Sequence, residues 1–314
     1  MVFKTDIVHD ADGLHGPLRR PRQMLAAQTY DGHLSIHDDE HAKDLGFIGA
    51  PIEGPTHFSQ FDPLLFDLWG EAWFRVGCIS SHFKNVVVEG EEVQAHVAEP
   101  EPGERITRIW ANKGTGELVL EGTASLGPDH PESELDKLMA SRSTPEQLVI
   151  LENVNIGDAA DTELLASVGF DQHLGDKYPF TLNQKLEVIT EPCEWYSADS
   201  PWGGAIVPIE MLSPLVQYLP NSVVKHAKRP VIGLFADLEV RLLDGPILVG
   251  EPYRLHKEVV GLGESRRTES MWVKTSVFDK HDKLVATTLL NSASLKNSYA
   301  DYEKDASRIG KSGG

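Results

Sequence analysis

The chain carries one short pattern twice, in the same order, and a duplicated sequence folds as a duplicated unit. Ala50-Pro51-Ile52-Glu53 returns as Val207-Pro208-Ile209-Glu210, a displacement of 157 in a chain of 314 residues. The stretch after Gly77 matches the stretch after Gly233, displaced by 156. Val88-Glu89-Gly90-Glu91 returns as Leu248-Val249-Gly250-Glu251, and Thr123-Ala124-Ser125-Leu126 as Ser292-Ala293-Ser294-Leu295. A single match of this length arises by chance, but an ordered series defines two halves of one plan.

Each half reads as an apolar helix followed by strands. Phe58, Phe61, Leu65, Leu68 and Trp69 recur at helical spacing and give one broad apolar face. Pro63 would kink that helix, unless Asp62 caps a fresh helix that starts at Pro63. Beyond Gly77, alternation and β-branched residues predict strands, with hairpin turns at Glu99 to Glu104 and Ala111 to Glu117. In the second half, Met211 to Leu219 predicts the helix and Asp279 to Lys283 a hairpin turn. The expected fold class is α+β, two repeats that each wrap a curved antiparallel sheet around a central helix. On composition, residues 1–145 form the first repeat with the candidate site, 146–177 an acidic linker, 178–300 the second repeat, and 301–314 a charged, disordered tail.

Charge narrows the partners. With 29 basic against 48 acidic residues the net charge is -19, which opposes binding to nucleic acid or to anionic membranes. Three basic clusters stand out: Arg19, Arg20 and Arg22; Lys225, Lys228 and Arg229; Arg266 and Arg267. Each reads first as a solvated face. No apolar run is long enough to span a membrane and no signal peptide precedes the first repeat, so the expected compartment is the cytoplasm. Cys78 and Cys193 are too far apart in sequence for a thiolate metal motif and read as buried free thiols.

The chemistry-bearing residues gather between Tyr30 and Leu65. Asp31, His33 and His37 lie within one short loop, His41 and His57 follow, and Gly54-Pro55 opens the apolar helix. An acid and imidazoles ahead of a helix start supply proton-transfer groups beside amides that face a ligand. Glu53 and Glu210 hold equivalent places, where a carboxylate first of all complements the helix dipole. A metal site from His33, His37, Asp38 and Asp39 is chemically conceivable, but these residues lack the i, i+4 helical spacing of a metal motif, and neither metal nor cofactor is expected.

The helix-then-strands unit present twice, with Asp31, Ala42, Gly46-Phe47 and Gly54 in sequence, resembles the double hotdog proteins of the MaoC-like (R)-specific enoyl-CoA hydratase family. That family has an aspartate and a histidine five residues apart before its central helix. Here the spacing from Asp31 to His37 is one residue longer, His33 stands at the family's Asn, and Glu53 replaces the His before the helix glycine. The resemblance implies a lyase: a hydratase or dehydratase acting on a small-molecule acyl thioester, enoyl-CoA or 3-hydroxyacyl-CoA. Asp31 and His37 would activate water, with Glu53 and His57 as further catalytic candidates. Gly54 and Thr56 would bind the thioester carbonyl through their amides, and His33 would touch substrate. In the second repeat, which has no histidine before its helix, Trp195, Tyr196 and Trp202 would line an acyl tunnel. A hotdog thioesterase using Glu53 or Asp62, and a non-catalytic ligand-binding hotdog, are the alternatives. Hotdog sheets abut into larger continuous sheets, so the two halves can satisfy one another within a single chain or pair further in a homodimer.

Overall fold

A computed structural model of the chain describes residues 2–29, 35–44, 46–160, 163–219, 223 and 226–311. The strands are β1 (Val8–Asp10), β2 (Gly13–His15), β3 (Gly77–Phe83), β4 (Val93–Val97), β5 (Ile106–Lys113), β6 (Leu118–Leu126), β7 (Leu164–Ala166), β8 (Gly233–Leu242), β9 (Tyr253–Glu264), β10 (Thr268–Phe278) and β11 (Leu284–Leu295). The α-helices are α1 (Asp39–Asp44), α2 (Asp62–Trp69), α3 (Glu71–Val76), α4 (Glu134–Ser141), α5 (Leu182–Val188), α6 (Leu212–Gln217) and α7 (Tyr302–Arg308).

All strands join one antiparallel sheet of 11, in the order β1-β2-β4-β5-β6-β3-β8-β11-β10-β9-β7. The order is a mirror. From the centre outward, β3-β6-β5-β4-β2 on one side answers β8-β11-β10-β9-β7 on the other. Short outer strands precede the helix, β1 and β2 in the first half and β7 in the second, and four strands follow it in each, so the sequence duplication is a duplication of topology. The halves are joined by β3 and β8, which pair from Cys78↔Arg241 to His82↔Asp237. Turn chemistry is as expected at the β10–β11 hairpin, where the Asp279 amide donates to the Lys283 carbonyl at 3.0 Å and Asp282 takes a φ of 59°.

The first central helix is segmented. Gly54–Phe61 is a 3-10 helix that passes into α2 at Asp62, and this change of pitch accommodates Pro63 at the start of α2. Asp62 does not cap. Its carboxylate is buried and accepts from Trp73 Nε1 at 2.9 Å and from the Tyr196 hydroxyl at 2.6 Å. In the second repeat a 3-10 turn, Ile209–Met211, leads into α6, and the two 3-10 segments pack against one another. Phe58, Phe61, Leu64, Leu65, Met211, Leu212 and Leu215 meet strand residues such as Val93, Ala95, Ile109, Leu238 and Val240 in one hydrophobic core that runs through both repeats. A second cluster around Leu148, Ile150, Val259 and Val273 extends that core at the β9–β10 end.

Two expectations are corrected. Residues 146–177 are not simply a linker: β7 pairs with β9 as the outer strand of the second repeat, and the apolar run Leu148–Leu151 is buried. There the Glu269 carboxylate accepts from the amides of Val149, Ile150 and Leu151 at 2.8, 2.8 and 3.1 Å. Nor is the tail disordered as far as it is described, to Lys311. Helix α7 docks by burying Ala306, and its charges find partners: Asp305 with Lys228 at 2.6 Å and Tyr302 with Glu269 at 3.1 Å. Among the described residues no helix is long and apolar enough to cross a membrane.

Candidate active site

A cavity of about 1480 Å³ opens beside the start of the first central helix and extends around the ends of β3 and β8 at the junction of the repeats. Its helix-side wall includes His37, Pro51, Ile52, Glu53, Gly54, His57 and Tyr178. The structure therefore brings together four of the expected site residues: His37, Glu53, Gly54 and His57. Asp31 and His33 lie outside the described residues.

His37 is held by a stitched loop. Its amide donates to Ser35 Oγ at 3.0 Å, and the buried Ser35 hydroxyl donates to Gln28 Oε1 at 2.6 Å. The Pro51 carbonyl lies 2.6 Å from His37 Nδ1 and accepts from Gln23 Nε2 at 2.6 Å. A carbonyl only accepts, so this contact puts the ring proton on Nδ1 and leaves the Nε2 lone pair as the basic atom. Burial lowers the His37 pKa from 6.5, partly offset by the Pro51 bond, and the ring is neutral at physiological pH.

Glu53 occupies the position before the 3-10 helix without capping it. Burial raises its pKa to about 7, against the pull of Lys185 and a Tyr178 hydrogen bond and with a further push from Glu210. Its Oε1 has no hydrogen-bond partner among the described residues. A carboxyl near neutral pKa holds or releases a proton at working pH, which is the property of a general acid. His57 is 2% exposed, its Nδ1 has no partner among the described residues, and burial together with Lys185 lowers its pKa to about 4, so it is a neutral polar group facing the cavity.

Gly54 provides the first amide of the 3-10 helix, with no partner among the described residues to absorb its donor. A Cβ there would come 2.7 Å from the Phe83 ring, which would have to shift to admit it. Thr56 does not bind a ligand by its amide, which donates to the Glu53 carbonyl at 3.0 Å. Its hydroxyl accepts from Lys185 Nζ at 3.2 Å.

The three aromatics fall elsewhere. Trp195 and Trp202 meet edge to face at 5.3 Å and both pack against Phe74, while the Tyr196 hydroxyl is committed to Asp62. None of them lines the cavity. They belong to the hydrophobic core and its margin, where edge-to-face partners and a buried acceptor exist. The same contacts seal Asp62 from the cavity.

Other groups of the site are not apparent from the sequence. Lys185, on α5, is placed by a capping box in which the Thr181 hydroxyl accepts from the Gln184 amide at 3.3 Å and the Gln184 side chain accepts from the Thr181 amide. Its ammonium lies 3.4 Å from Glu210 Oε1 and both groups are buried, which links the equivalent glutamates of the two repeats through one cation. Farther along the cavity, His82 Nδ1 and Asp237 Oδ1 are 2.6 Å apart, and Asn291 Nδ2 donates to Asp237 Oδ2 at 2.6 Å. This dyad is created by pairing of strands 155 residues apart and has no local motif. Among the described residues no group of three or more His, Cys, Asp or Glu is arranged to hold a metal ion. Arg142, Arg229 and Arg267, scattered in sequence, share the cavity rim.

No protein-family model matches the sequence, and no curated protein matches it. Solved structures do. A protein described as a MaoC domain dehydratase, from Chloroflexus aurantiacus J-10-fl, superimposes with a TM-score of 0.51 at 14% identity, over 94% of this chain and 95% of that one. The dehydratase domain of PpsC from Mycobacterium tuberculosis, solved in complex with C12:1-CoA, gives 0.47 at 10% identity over 92% and 97%. A conserved protein of M. tuberculosis described as a double hotdog gives 0.48 at 12% identity over 82% and 86%. The first likeness, together with the mirrored strand order, makes this chain a double hotdog protein. It has the fold of MaoC-like dehydratases.

Proposed function

We propose that the protein adds water to, or removes it from, an acyl thioester, with the first repeat carrying the chemistry. The observation that supports this most is the pairing, on one cavity wall, of a neutral imidazole with a free Nε2 and a carboxyl whose pKa is about 7. In the hydration direction, His37 Nε2 takes a proton from water as its oxygen bonds to C3 of the enoyl group. The C2=C3 electron pair moves toward the thioester carbonyl, and Glu53 delivers its proton to C2. Proton transfer between Glu53 and His37, through solvent, resets the site. The Gly54 amide at the helix start donates to the carbonyl oxygen as negative charge develops there, aided by the helix dipole. His57 Nδ1 offers a second polar contact. Asp31, close in sequence to His37, is assigned by the family resemblance to the same water-activating role.

Crotonyl-CoA and longer enoyl-CoA esters test this reading. A 3-hydroxyacyl product supports it. Release of free thiol instead would point to Glu53 as the base of a thioesterase, a role that Asp62, sealed by Trp73 and Tyr196, is not placed to share. Binding without turnover would leave a ligand-binding hotdog.

A further inference from the structure

The helix-facing side of the second repeat holds a polar row with no counterpart in the first. Lys257 on β9 pairs with Thr275 on β10, which pairs with Thr288 on β11. Directly paired residues point to the same side of a sheet, and the pairs flanking this row, Leu255↔Val277 and Val259↔Val273, belong to the hydrophobic clusters. The row therefore interrupts the core. Lys257 and Thr275 are 0% exposed and Thr288 is 1% exposed, yet Lys257 Nζ and both hydroxyls have no hydrogen-bond partner among the described residues. By the displacement of 160 that relates Gly250-Glu251 to Gly90-Glu91, Lys257 answers Val97, whose cross-strand partners, Ile109 and then Gly122, are also apolar. The fold itself thus does not demand these polar groups.

An unpartnered buried amine is costly unless something supplies an anion. Burial lowers the Lys257 pKa to about 7, and the charge of another cation, Lys177, pushes it the same way. Lys177 lines the cavity, as do Val273 and Leu290, each two residues from a threonine of the row on the same strand and the same face. Two strand residues span roughly 7 Å, so the row sits one step behind the cavity wall. A carboxylate has about four acceptor positions, and Lys257 with two hydroxyls supplies matching donors.

Building on the acyl-thioester reading, we propose that the acyl chain passes from this cavity beyond the wall formed by Val273 and Leu290 and ends in a carboxylate at the polar row behind it, so that the substrate is the thioester of a dicarboxylic acid. Lys257, Thr275 and Thr288 donate to it, and Lys177 adds a second positive charge. The test uses saturated N-acetylcysteamine thioesters, which have no double bond to hydrate, and calorimetric titration of the full chain. Thioesters of glutaric, adipic and pimelic acid are compared with neutral isosteres in which an isopropyl group replaces the carboxylate. At least one acid is expected to bind ten-fold or more tighter than its isostere. Lys257→Met should abolish that preference, Thr275→Val should weaken it several-fold, and Glu53→Gln should retain it. Equal binding of acid and isostere throughout the series, or a preference that survives Lys257→Met, would overturn the proposal. Because no turnover is needed, a failure to hydrate enoyl esters would remove the hydratase reading and leave this one standing.

Discussion

The two repeats share a strand order and divide their polar groups in opposite ways. In the first, the polar groups sit at the helix start, where Glu53, Gly54 and His57 face the cavity, while the sheet beneath is apolar at Val97 and Ile109. In the second, the helix start has lost its opening to the cavity: Glu210 is buried against Lys185, and the polar groups lie instead across the sheet at Lys257, Thr275 and Thr288. Duplication fixes where an element goes, and substitution within it decides where its polar groups face.

The largest expected effect tests the first half of that contrast. With the enoyl ester that proves to be the substrate, Glu53→Gln and His37→Ala should each lower kcat by about 10²- to 10⁴-fold, the range of a positioned acid or base. In the wild type, the acid must carry its proton and the base must lack one. Activity should therefore fall above about pH 7 as Glu53 ionises, and on the acid side below pH 6.5 as His37 protonates. Glu53→Gln should remove the alkaline limb. An unchanged pH profile in that variant would assign the limb to another group.

Glu210 should matter to stability before activity. Glu210→Leu strands the buried Lys185 ammonium and is expected to cost about 3–5 kcal/mol, measured by denaturant unfolding. Glu210 also pushes the Glu53 pKa upward, so the alkaline limb of the surviving activity should move to lower pH. A stable variant with an unmoved limb would separate the two glutamates.

Lys257→Met should act in the opposite sense and stabilise the protein by about 1–4 kcal/mol at neutral pH, since an apolar side chain replaces an unpaired buried amine. The pH dependence supplies the signature. Between about pH 7 and the ordinary value of 10.5, the unfolded chain holds a proton on Lys257 that the folded chain has lost. Wild-type stability consequently gains roughly 1.4 kcal/mol per pH unit across that window from this group alone. The difference between wild type and Lys257→Met should shrink as pH rises. A constant difference from pH 7 to 10 would mean that Lys257 keeps its proton when folded.

The fold was legible because it rests on repetition and periodicity: the displaced motifs, the apolar helix face and the turn residues are all local or nearly so. That His37, Glu53, Gly54 and His57 converge on one cavity was legible for the same reason, since they lie within one segment. What escaped depends on partners remote in sequence. His82 meets Asp237 only because β3 pairs with β8, and Lys185 is an ordinary helical lysine until the second helix brings Glu210 to it. The tail and the segment before the second repeat looked like solvated chain because their charges are many. Their partners, Lys228 and Glu269, become visible only in three dimensions.

The smallest effect comes from the aromatics, and it discriminates between a tunnel wall and a core. Trp202 packs edge to face on Trp195 and Phe74, is only partly buried, and lies off the cavity. Trp202→Phe keeps a ring in that cluster and removes only the indole's extra volume, a change expected to cost under about 1.5 kcal/mol. If these aromatics governed the acyl chain, the change would shift KM along a series of chain lengths while leaving kcat for short esters intact. As a core residue, Trp202 should leave KM unaltered for every length and lower Tm slightly. Under the same assay, the bulky replacement Leu290→Phe, made in the cavity wall beside the polar row, should raise KM most for the longest chains, so the two variants together locate the acyl path in the second repeat's sheet rather than in its tryptophans.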